Sequence, residues 1–205
     1  MACGMLKRAF DVGLASVGLI GSAPLWGLFA LAIKLEDAGP VFFRQERVGL
    51  GGRPFTALKF RSMRPDAEDG LGAVQAIEDD PRVTRVGRFL RATAMDELPQ
   101  LWNIFRGDMS FVGPRALRPG EIEVKSDGVM QRLEDVPGFA TRVSVRPGLT
   151  GIAQVYAPRD LPRRHKFRYD RLYVRRRSWS LDARLILLSF WISVLGTWEA
   201  RGRKY

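Results

Sequence analysis

The adjacent carboxylates Asp96 and Glu97 are the side chains in this sequence best suited to do chemistry. They come just before Pro99, and proline is favoured in the first turn of a helix, where backbone donors and the helix dipole favour negative charge. Such a pair can hold a divalent cation, and a carboxylate can also act as a nucleophile that forms an acyl phosphate. Helix capping is the simpler interpretation of the dipeptide alone, and it stays open at this point.

Cationic side chains of the kind that bind phosphate occur on both sides of this pair. They are Lys59, Arg61, Arg91 and Arg115, the last of which lies in a Gly-Pro-Arg turn. In phosphoryl transfer, carboxylates hold a metal ion and arginines neutralise phosphate oxygens. The combination indicates phosphoryl transfer with Mg²⁺ bound by Asp96 and Glu97, because Mg²⁺ typically takes one or two carboxylates together with waters and substrate phosphates.

The composition favours an anionic partner and excludes several other kinds of site. The chain has 205 residues, with 33 Lys and Arg against 22 Asp and Glu, and a formal net charge of +11. Nucleic acid, a lipid surface and phosphorylated substrates are all compatible with that charge. The single histidine, His165, and the single cysteine, Cys3, leave almost no ligands for a zinc cluster and allow no intramolecular disulfide, which fits a reducing compartment.

An uncharged run from Val12 to Ile33 is long enough to match one membrane thickness as a helix. Pro24 lies near its middle and predicts a kink, and Ser22 is a local hydroxyl that can bond a freed carbonyl. Basic residues flank both ends of the run, so the positive-inside rule draws both ends to the cytoplasm. We therefore expect a re-entrant, monotopic helix with its break at Ser22 and Pro24. A Pro-kinked single span, a signal peptide and a buried core helix are the alternatives.

The middle of the chain predicts a small domain of mixed α and β structure. Strands are predicted at 41–43, 55–60, 143–145 and 152–155, the first two forming a hairpin. Two helices are predicted to meet near Asp96, within 83–105, because apolar residues recur there at helical spacing. The acidic stretch at 66–80 predicts a mobile, solvated loop.

The C-terminal part combines a basic stretch with an apolar one. From Arg163 to Arg184, aromatic residues are interleaved with arginines, a pattern that can stack on nucleic-acid bases or lie on anionic lipid headgroups. The run from Leu185 to Val194 is nearly all apolar but short for a membrane span, which favours an interfacial helix and the lipid alternative. The expected organisation is an α+β protein with a membrane segment at 1–38, a cytoplasmic catalytic domain at 39–184 and an apolar interfacial segment at 185–205.

Longer motifs extend the argument over nearly the whole chain. They are KRAFD at 7–11, GPVFFRQERVG at 39–49, PFTALKFRSM at 54–63, MDELPQLWNIFRGDMSFVGPR at 95–115, VRPGLTGIAQV at 145–155 and YDRLYVRRRSWSLD at 169–182. Together they resemble the monotopic polyprenyl-phosphate phosphoglycosyl transferases, also called bacterial sugar transferases. The resemblance implies transfer of a phospho-sugar from a UDP-sugar to polyprenyl (undecaprenyl) phosphate with release of UMP, the first membrane step of glycoconjugate biosynthesis.

The same resemblance implies a location and partners. We expect a small, catalytic-core-only, Mg²⁺-dependent enzyme on the anionic lipid of the bacterial inner membrane, at its cytoplasmic face. No nucleic-acid partner is expected, and a homodimer is left open. The remaining alternative is a basic membrane-surface or nucleic-acid-binding protein in which Asp96 and Glu97 merely cap a helix.

The resemblance also assigns roles to individual residues. Asp96 resembles the nucleophile that becomes a phospho-sugar aspartate, and Glu97 resembles its partner in metal binding or proton transfer. Substrate-binding or supporting roles are implied for Lys59, Arg61, Arg91, Arg115, Gln154, Asp170 and Asp182.

The chain departs from the family's pattern in three places. Ala23 separates Ser22 from Pro24, Ala116 follows the Gly-Pro-Arg turn, and 156–159 replaces an Asn-Gly-Arg-like turn. The last departure bears on recognition of the nucleotide or the sugar more than on the chemistry.

Overall fold

The computed structural model describes residues 2–67, 80–124, 128–158 and 161–195. The helices in these ranges are α1 Ala2–Asp37, α2 Arg85–Ala92, α3 Gln100–Arg106, α4 Phe139–Val143, α5 Ile152–Tyr156, α6 Arg163–Arg176 and α7 Trp179–Val194. The strands are β1 Phe42–Val48, β2 Pro54–Phe60, β3 Ser110–Val112, β4 Ile122–Val124, β5 Met130–Arg132 and β6 Gly148–Thr150. The predicted mixture of helices and strands, with a long apolar helix at the N-terminus, is confirmed.

The strands pair two by two. β1 and β2 form the predicted antiparallel hairpin, with Phe42 opposite Phe60 and Val48 opposite Pro54. β4 and β5 form a second antiparallel pair, and β3 lies parallel to β6. The first hairpin is longer than predicted, because polar residues of β1 alternate between exposed and half-buried positions and so continue the strand to Val48.

The strands predicted at 143–145 and 152–155 are wrong. α4 ends at Val143, α5 occupies Ile152–Tyr156, and the strand of this region is β6, in the part predicted to be a turn. Gly148 allows β6 to approach β3 closely, since a Cβ atom there would lie 2.0 Å from the backbone nitrogen of Gly113. Apolar runs as short as Ile152–Val155 do not distinguish a strand from a buried helix turn.

The core extends from α1 through the middle of the domain. Ala15 of α1, Ile104 of α3, Val112 of β3 and Leu185 of α7 are almost fully buried against one another. Further along α1, a second group of buried side chains joins the helix to the hairpin and to α2; it consists of Phe29, Ile33, Phe60 and Leu90. α1 therefore packs on α2, α3, α7 and the first hairpin over much of its length.

One face of α1 is buried along the whole helix. Asp11, Ala15, Ser22, Phe29 and Ile33 are its buried positions, and they recur at helical spacing. The helix is long and apolar enough to cross a membrane by length and composition alone. This pattern is compatible with a helix that packs on protein along one face and contacts lipid along the other.

The predicted break at Ser22 and Pro24 is not an interruption of the helix. α1 continues through Pro24, and Ser22 Oγ accepts a hydrogen bond from Trp26 Nε1 at 3.0 Å. Proline removes only one backbone donor from a helix, and packing of Ser22 and Phe29 on either side of it supports the remaining turns.

Both ends of α1 are attached to the same domain. Near its start, Lys7 Nζ forms an ion pair with Asp182 Oδ2 of α7 at 2.6 Å. At its end, Glu36 accepts hydrogen bonds from the backbone amides of Arg85 and Val86, at 2.6 and 3.1 Å, and so caps α2. A straight crossing of a bilayer would place these two ends on opposite sides, so the attachments argue against a straight transmembrane span.

The aromatic residues of the basic C-terminal stretch are largely core residues. Phe167 and Tyr173 of α6 are each 2% exposed and face the interior. Trp179, at the start of α7, is exposed and packs edge-on against Phe10 of α1, with ring centroids 5.5 Å apart. Their burial therefore excludes stacking of Phe167 or Tyr173 on nucleic-acid bases, which is one of the two interpretations of this stretch.

Some sequence predictions fall outside the described residues. Most of the acidic loop, at 68–79, lies there, as do 159–160 and the residues from 196 onward. The boundary proposed between 184 and 185 lies within α7.

Candidate active site

The two carboxylates lie on a tight turn between α2 and α3. Thr84 begins α2, and its Oγ1 accepts a hydrogen bond from the backbone of Gly87 at 2.9 Å. After Thr93, Ala94 adopts a left-handed conformation with φ of 56°, which is uncommon for a residue with a Cβ atom. Residues Met95–Glu97 then form one turn of 3-10 helix, so Asp96 and Glu97 are presented by a turn with little freedom.

Gly87 brings α2 against the end of β2. A Cβ atom at Gly87 would lie 2.0 Å from the carbonyl oxygen of Ser62, so a larger residue would push the helix away. The backbone nitrogen of Thr84 donates to the same carbonyl at 3.1 Å. This contact fixes the distance between α2 and the strand that carries Lys59.

Asn103 of α3 holds the other side of that strand. Its side chain is fully buried, accepts a hydrogen bond from the backbone nitrogen of Leu58 at 3.0 Å and donates one to the carbonyl of Thr56 at 2.7 Å. Leu58 immediately precedes Lys59 and Thr56 lies three residues before it, so these bonds fix the part of β2 that directs the lysine toward the carboxylates.

Two cations face the carboxylate pair. Lys59 Nζ forms an ion pair with Glu97 Oε1 and lies 3.9 Å from Asp96 Oδ2. Arg115 Nη2 lies 3.7 Å from Glu97 Oε1, and half of its side chain is exposed. Asp96 is 8% exposed, so the site combines a buried carboxylate with an arginine that can reach an incoming anion.

The two carboxylates differ in their tendency to ionise. Burial raises the pKa of Asp96 to about 6; the charge of Glu97 adds to this rise, and Lys59 opposes it. Burial also opposes ionisation of Glu97, but the attraction of Lys59 and Arg115 outweighs it and holds the pKa of Glu97 well below its usual range. Adjacent groups with such separated pKa values are typical of a division of roles in catalysis.

The capping alternative finds no support at the start of α3. Pro99 is the N-cap residue there, and its own side chain makes no capping hydrogen bond. The contacts described for the Asp96 and Glu97 side chains are with Lys59 and Arg115 rather than with backbone amides at the start of α3.

The backbone beside Arg115 is held by two further arginines. Arg142 Nη2 donates to the carbonyl oxygen of Arg115 at 2.6 Å, and Arg47 Nη1 donates to that of Ala116 at 3.1 Å. Ala116 stands where the family commonly has proline, and its carbonyl serves as one of these two anchors.

Residues 2–196 match the family described as bacterial sugar transferase. The chain belongs to the bacterial sugar transferase family.

Several curated relatives of this bacterial sugar transferase are similar over long stretches. The UDP-glucose:undecaprenyl-phosphate glucose-1-phosphate transferase of Caulobacter vibrioides is 50% identical over 155 residues, which cover 76% of this chain and 55% of that protein. The undecaprenyl-phosphate glucose phosphotransferase of Komagataeibacter xylinus is 43% identical over 190 residues, which cover 89% of this chain and 35% of that protein. The putative undecaprenyl-phosphate N-acetylgalactosaminyl 1-phosphate transferase of Bacillus subtilis is 46% identical over 138 residues, which cover 67% of this chain and 73% of that protein. The chain thus spans about half the length of the first relative and about a third of the second.

The structure of this bacterial sugar transferase brings most of the predicted site residues together. Asp96, Glu97, Lys59 and Arg115 form one cluster. Arg91 lies in the last turn of α2, and its charge acts on Asp96, opposing the rise in that residue's pKa.

Gln154 lies beside the Gly-Pro-Arg turn. Its Nε2 donates to the carbonyl of Gly113 at 3.4 Å, and its Oε1 is buried without a hydrogen-bond partner among the described residues. Buried acceptors usually have a hydrogen-bond partner, so Gln154 is an exception; that it binds substrate stays a prediction.

Three predicted site residues have other protein groups as their contacts. Arg61 is buried and pairs with Asp37 at the end of α1. Asp170 is buried and pairs with Arg142, and Asp182 accepts hydrogen bonds from Lys7 and from the Tyr173 hydroxyl. These contacts join helices and strands to one another; that the three residues also bind substrate stays a prediction.

Sequence reasoning missed Arg47, Arg142 and Asp11. Asp11 Oδ1 accepts a hydrogen bond from the backbone nitrogen of Phe111 at 3.2 Å and so joins α1 to β3. The sequence shows Asp11 only as the last residue of the KRAFD motif. Arg142 interrupts the mostly apolar stretch before the Arg-Pro-Gly turn, and Arg47 lies on an alternating strand. A charged residue at an inward position is the signal that could have drawn attention to both.

The carboxylate pair fits Mg²⁺ as the expected ion. The described residues contain no group of three or more His, Cys, Asp or Glu side chains that could hold a metal by protein ligands alone. Asp96 and Glu97 supply two carboxylates, a number with which Mg²⁺ is commonly bound when waters and substrate phosphates complete its octahedron.

Proposed function

We propose that this protein transfers a phospho-sugar from a UDP-sugar to undecaprenyl phosphate and releases UMP. The observation that carries the proposal is the buried Asp96, paired with Glu97 and faced by Lys59 and Arg115, in a member of the bacterial sugar transferase family. The names of relatives such as the Caulobacter vibrioides enzyme support the classes of donor and acceptor.

In the first step, Asp96 acts as the nucleophile. A carboxylate oxygen attacks the phosphorus that carries the sugar, and the bond to the bridging oxygen breaks, so that UMP leaves with the bonding electrons. The product on the enzyme is an acyl phosphate, the phospho-sugar ester of Asp96. Lys59 pairs more closely with Glu97 than with Asp96, so the charge on Asp96 is less stabilised before the reaction and is available for attack.

In the second step, an oxygen of the lipid phosphate attacks the same phosphorus. The bond to Asp96 breaks, the carboxylate is regenerated, and the sugar becomes attached to the lipid through a diphosphate. Arg115 neutralises negative charge on the transferring phosphate, a role suited to a half-exposed guanidinium next to the pair. Mg²⁺ held by Asp96 and Glu97 would add further neutralisation of phosphate oxygens.

Glu97 serves to organise the site. With its pKa well below the usual range, Glu97 is a weak base, so it is better suited to hold Lys59, Arg115 and a metal ion than to accept a proton.

The lipid acceptor requires that the site lie at a membrane surface. Large apolar side chains are exposed on the outer faces of α1 and α7; among them are Ile20, Leu31, Leu35, Leu187, Phe190 and Trp191. Contiguous exposed apolar surface rimmed by basic residues is typical of membrane contact. We propose that these faces enter the cytoplasmic leaflet and that α1 enters and leaves on the same side.

The test is an assay of UMP release. Detergent-solubilised protein is incubated with Mg²⁺, undecaprenyl phosphate and a panel of UDP-sugars, with and without the lipid and with EDTA. For at least one donor we expect continuous release that depends on lipid and metal. When the lipid is omitted, we expect at most one UMP per enzyme molecule, together with a phospho-sugar adduct seen by intact-protein mass spectrometry. Release that persists at the wild-type rate in the Asp96→Asn variant would refute the mechanism.

A further inference from the structure

Arg142 occupies an unusual environment for an arginine, since only 5% of it is exposed. Its Nε lies 3.2 Å from Asp170 Oδ2, and its guanidinium carbon lies 4.5 Å from the centre of the Phe167 ring. Its Nη2 donates a 2.6 Å hydrogen bond to the carbonyl oxygen of Arg115. The planar guanidinium thus joins α6, through Asp170 and Phe167, to the turn that carries Arg115.

A buried ion pair is weak evidence for stability. Removing two charges from water costs free energy, and well-packed apolar residues of similar volume are often as stabilising. What the pair of Arg142 and Asp170 does provide is geometry, because the rigid guanidinium can bind a carboxylate on one side and a carbonyl on the other. The group whose geometry it sets is the backbone of Arg115.

The turn that carries Arg115 needs such an anchor because positive charges crowd around it. Burial, followed by the charges of Arg115 and Arg118, lowers the pKa of Arg47 to about 9. Repulsion among these guanidinium groups would move Arg115 away from Glu97. The hydrogen bonds of Arg142 and Arg47 to consecutive carbonyl oxygens oppose that movement.

We propose that Arg142 is a positioning residue: held by Asp170, it fixes the backbone of Arg115 and thereby directs the Arg115 side chain toward Glu97 and the transferring phosphate. The proposal rests on the proposed function for its activity readout. Arg142 and Asp170 act through Arg115, so their effect on catalysis depends on the presence of the Arg115 side chain.

A double-mutant cycle tests this dependence. Arg142→Lys retains the charge opposite Asp170 but loses the planar group that reaches both partners. We expect it to lower kcat/KM by about tenfold to a hundredfold in the otherwise wild-type protein, as misplacement of a catalytic group does. In an Arg115→Ala background the same change should alter kcat/KM by less than about twofold, since coupled residues are not additive.

Arg8→Lys is the matched control. Arg8 Nη2 donates to the carbonyl oxygen of Phe105 at 2.6 Å, which is the same kind of bond to a different segment. Its effect on kcat/KM, whatever its size, should be equal in both backgrounds. If Arg142→Lys also lowers kcat/KM by the same factor in both backgrounds, Arg142 has a structural role only and the proposal is overturned.

A second variant and a second measurement cover failure of folding or of activity. Asp170→Asn preserves volume and should show the same dependence on Arg115 if Arg142→Lys does not fold. Hydrogen–deuterium exchange of residues 113–117 should be faster in Arg142→Lys and Asp170→Asn than in Arg8→Lys. Exchange does not depend on turnover, so absence of UMP release from the wild type would count against the proposed function, whereas unchanged exchange would overturn the positioning role.

Discussion

Lys59 Nζ lies 3.9 Å from Asp96 Oδ2, at the outer limit of an ion pair, although the same ammonium group pairs directly with Glu97. One lysine is thus shared unequally between two neighbouring carboxylates. Glu97 receives most of the stabilisation, and Asp96 keeps a charge that its buried position disfavours. This asymmetry distinguishes the proposed nucleophile, Asp96, from its partner, although both are carboxylates.

Asp96→Asn should abolish transfer and leave the protein folded. The amide has nearly the same volume but cannot form an acyl phosphate. Burial raises the pKa of Asp96, so its ionisation at neutral pH costs more free energy in the folded protein than in the unfolded chain. The neutral amide avoids that cost and should leave the Tm unchanged or raise it. UMP release and thermal unfolding measure the two effects. Asp135→Asn, at an exposed carboxylate, is the control that should change neither; a large fall in Tm for Asp96→Asn would contradict the expectation.

At limiting Mg²⁺, activity should rise with pH through a limb near 6, because a bound cation would lower the pKa of Asp96. Below that pH Asp96 is protonated in the metal-free site and cannot attack, whereas above it the carboxylate is ionised. Glu97→Gln removes a neighbouring negative charge that helps to raise this pKa, so the limb should shift to lower pH even as the rate falls. The measurement is the pH profile of kcat/KM for both proteins, and an unshifted limb would show that the limb belongs to another group.

The sequence was sufficient for the hairpin, for the meeting of α2 and α3 at Asp96, and for the cluster of Asp96 with Lys59 and Arg115. Local patterns determine these features: alternation in the hairpin, helical spacing on either side of Pro99, and motif residues that contact one another. The role of Arg142 could not be predicted, because it depends on a contact between α6 and a turn far away in the chain. β6 was missed for the same reason, since its pairing with β3 rather than its own composition makes it a strand.

Lys59→Met should lower both activity and stability. Glu97 would lose its direct partner, and burial would then disfavour its charge more strongly, at a cost of about 1–3 kcal/mol for a poorly satisfied buried group. The transferring phosphate would also lose a nearby cation, which should reduce kcat by about a hundredfold or more. Lys34→Met, at an exposed lysine of α1, is the control for loss of a lysine charge. Denaturant unfolding and initial rates of UMP release provide the two readouts, and a variant with wild-type rates would exclude Lys59 from the mechanism.

Ala94→Gly should stabilise the turn that carries the carboxylates. A left-handed backbone costs an alanine about 1–2 kcal/mol, and glycine relieves this strain. Part of the relief is offset because glycine is more flexible when unfolded, so the net stabilisation should be about 0.5–1 kcal/mol. Ala38→Gly offers a comparison, since Ala38 has the same φ of 56° at the end of α1, away from the carboxylate turn. Both should raise the free energy of unfolding. Ala94→Val should lower it, and equal stability of the glycine and valine variants would contradict the strain.

Cysteine labelling should place both ends of α1 on the cytoplasmic side. In a Cys3→Ser background, Met5→Cys and Ala38→Cys introduce thiols at exposed positions near the two ends, and Leu28→Cys introduces one on the exposed apolar face. A membrane-impermeant maleimide should label the two end positions in inverted vesicles but not in intact spheroplasts. Leu28→Cys should react only after detergent is added. Labelling of Met5→Cys from the periplasmic side would show that α1 crosses the membrane.

The Gly-Pro-Arg and Arg-Pro-Gly turns interlock through their glycines. A Cβ atom at Gly113 would lie 2.4 Å from the carbonyl oxygen of Arg146, and one at Gly148 would lie 2.0 Å from the backbone nitrogen of Gly113. Two segments separated in sequence therefore behave as one part. A chimaera of two family members would have to take both turns from the same parent. If the turns came from different parents, their closely packed backbones would no longer match.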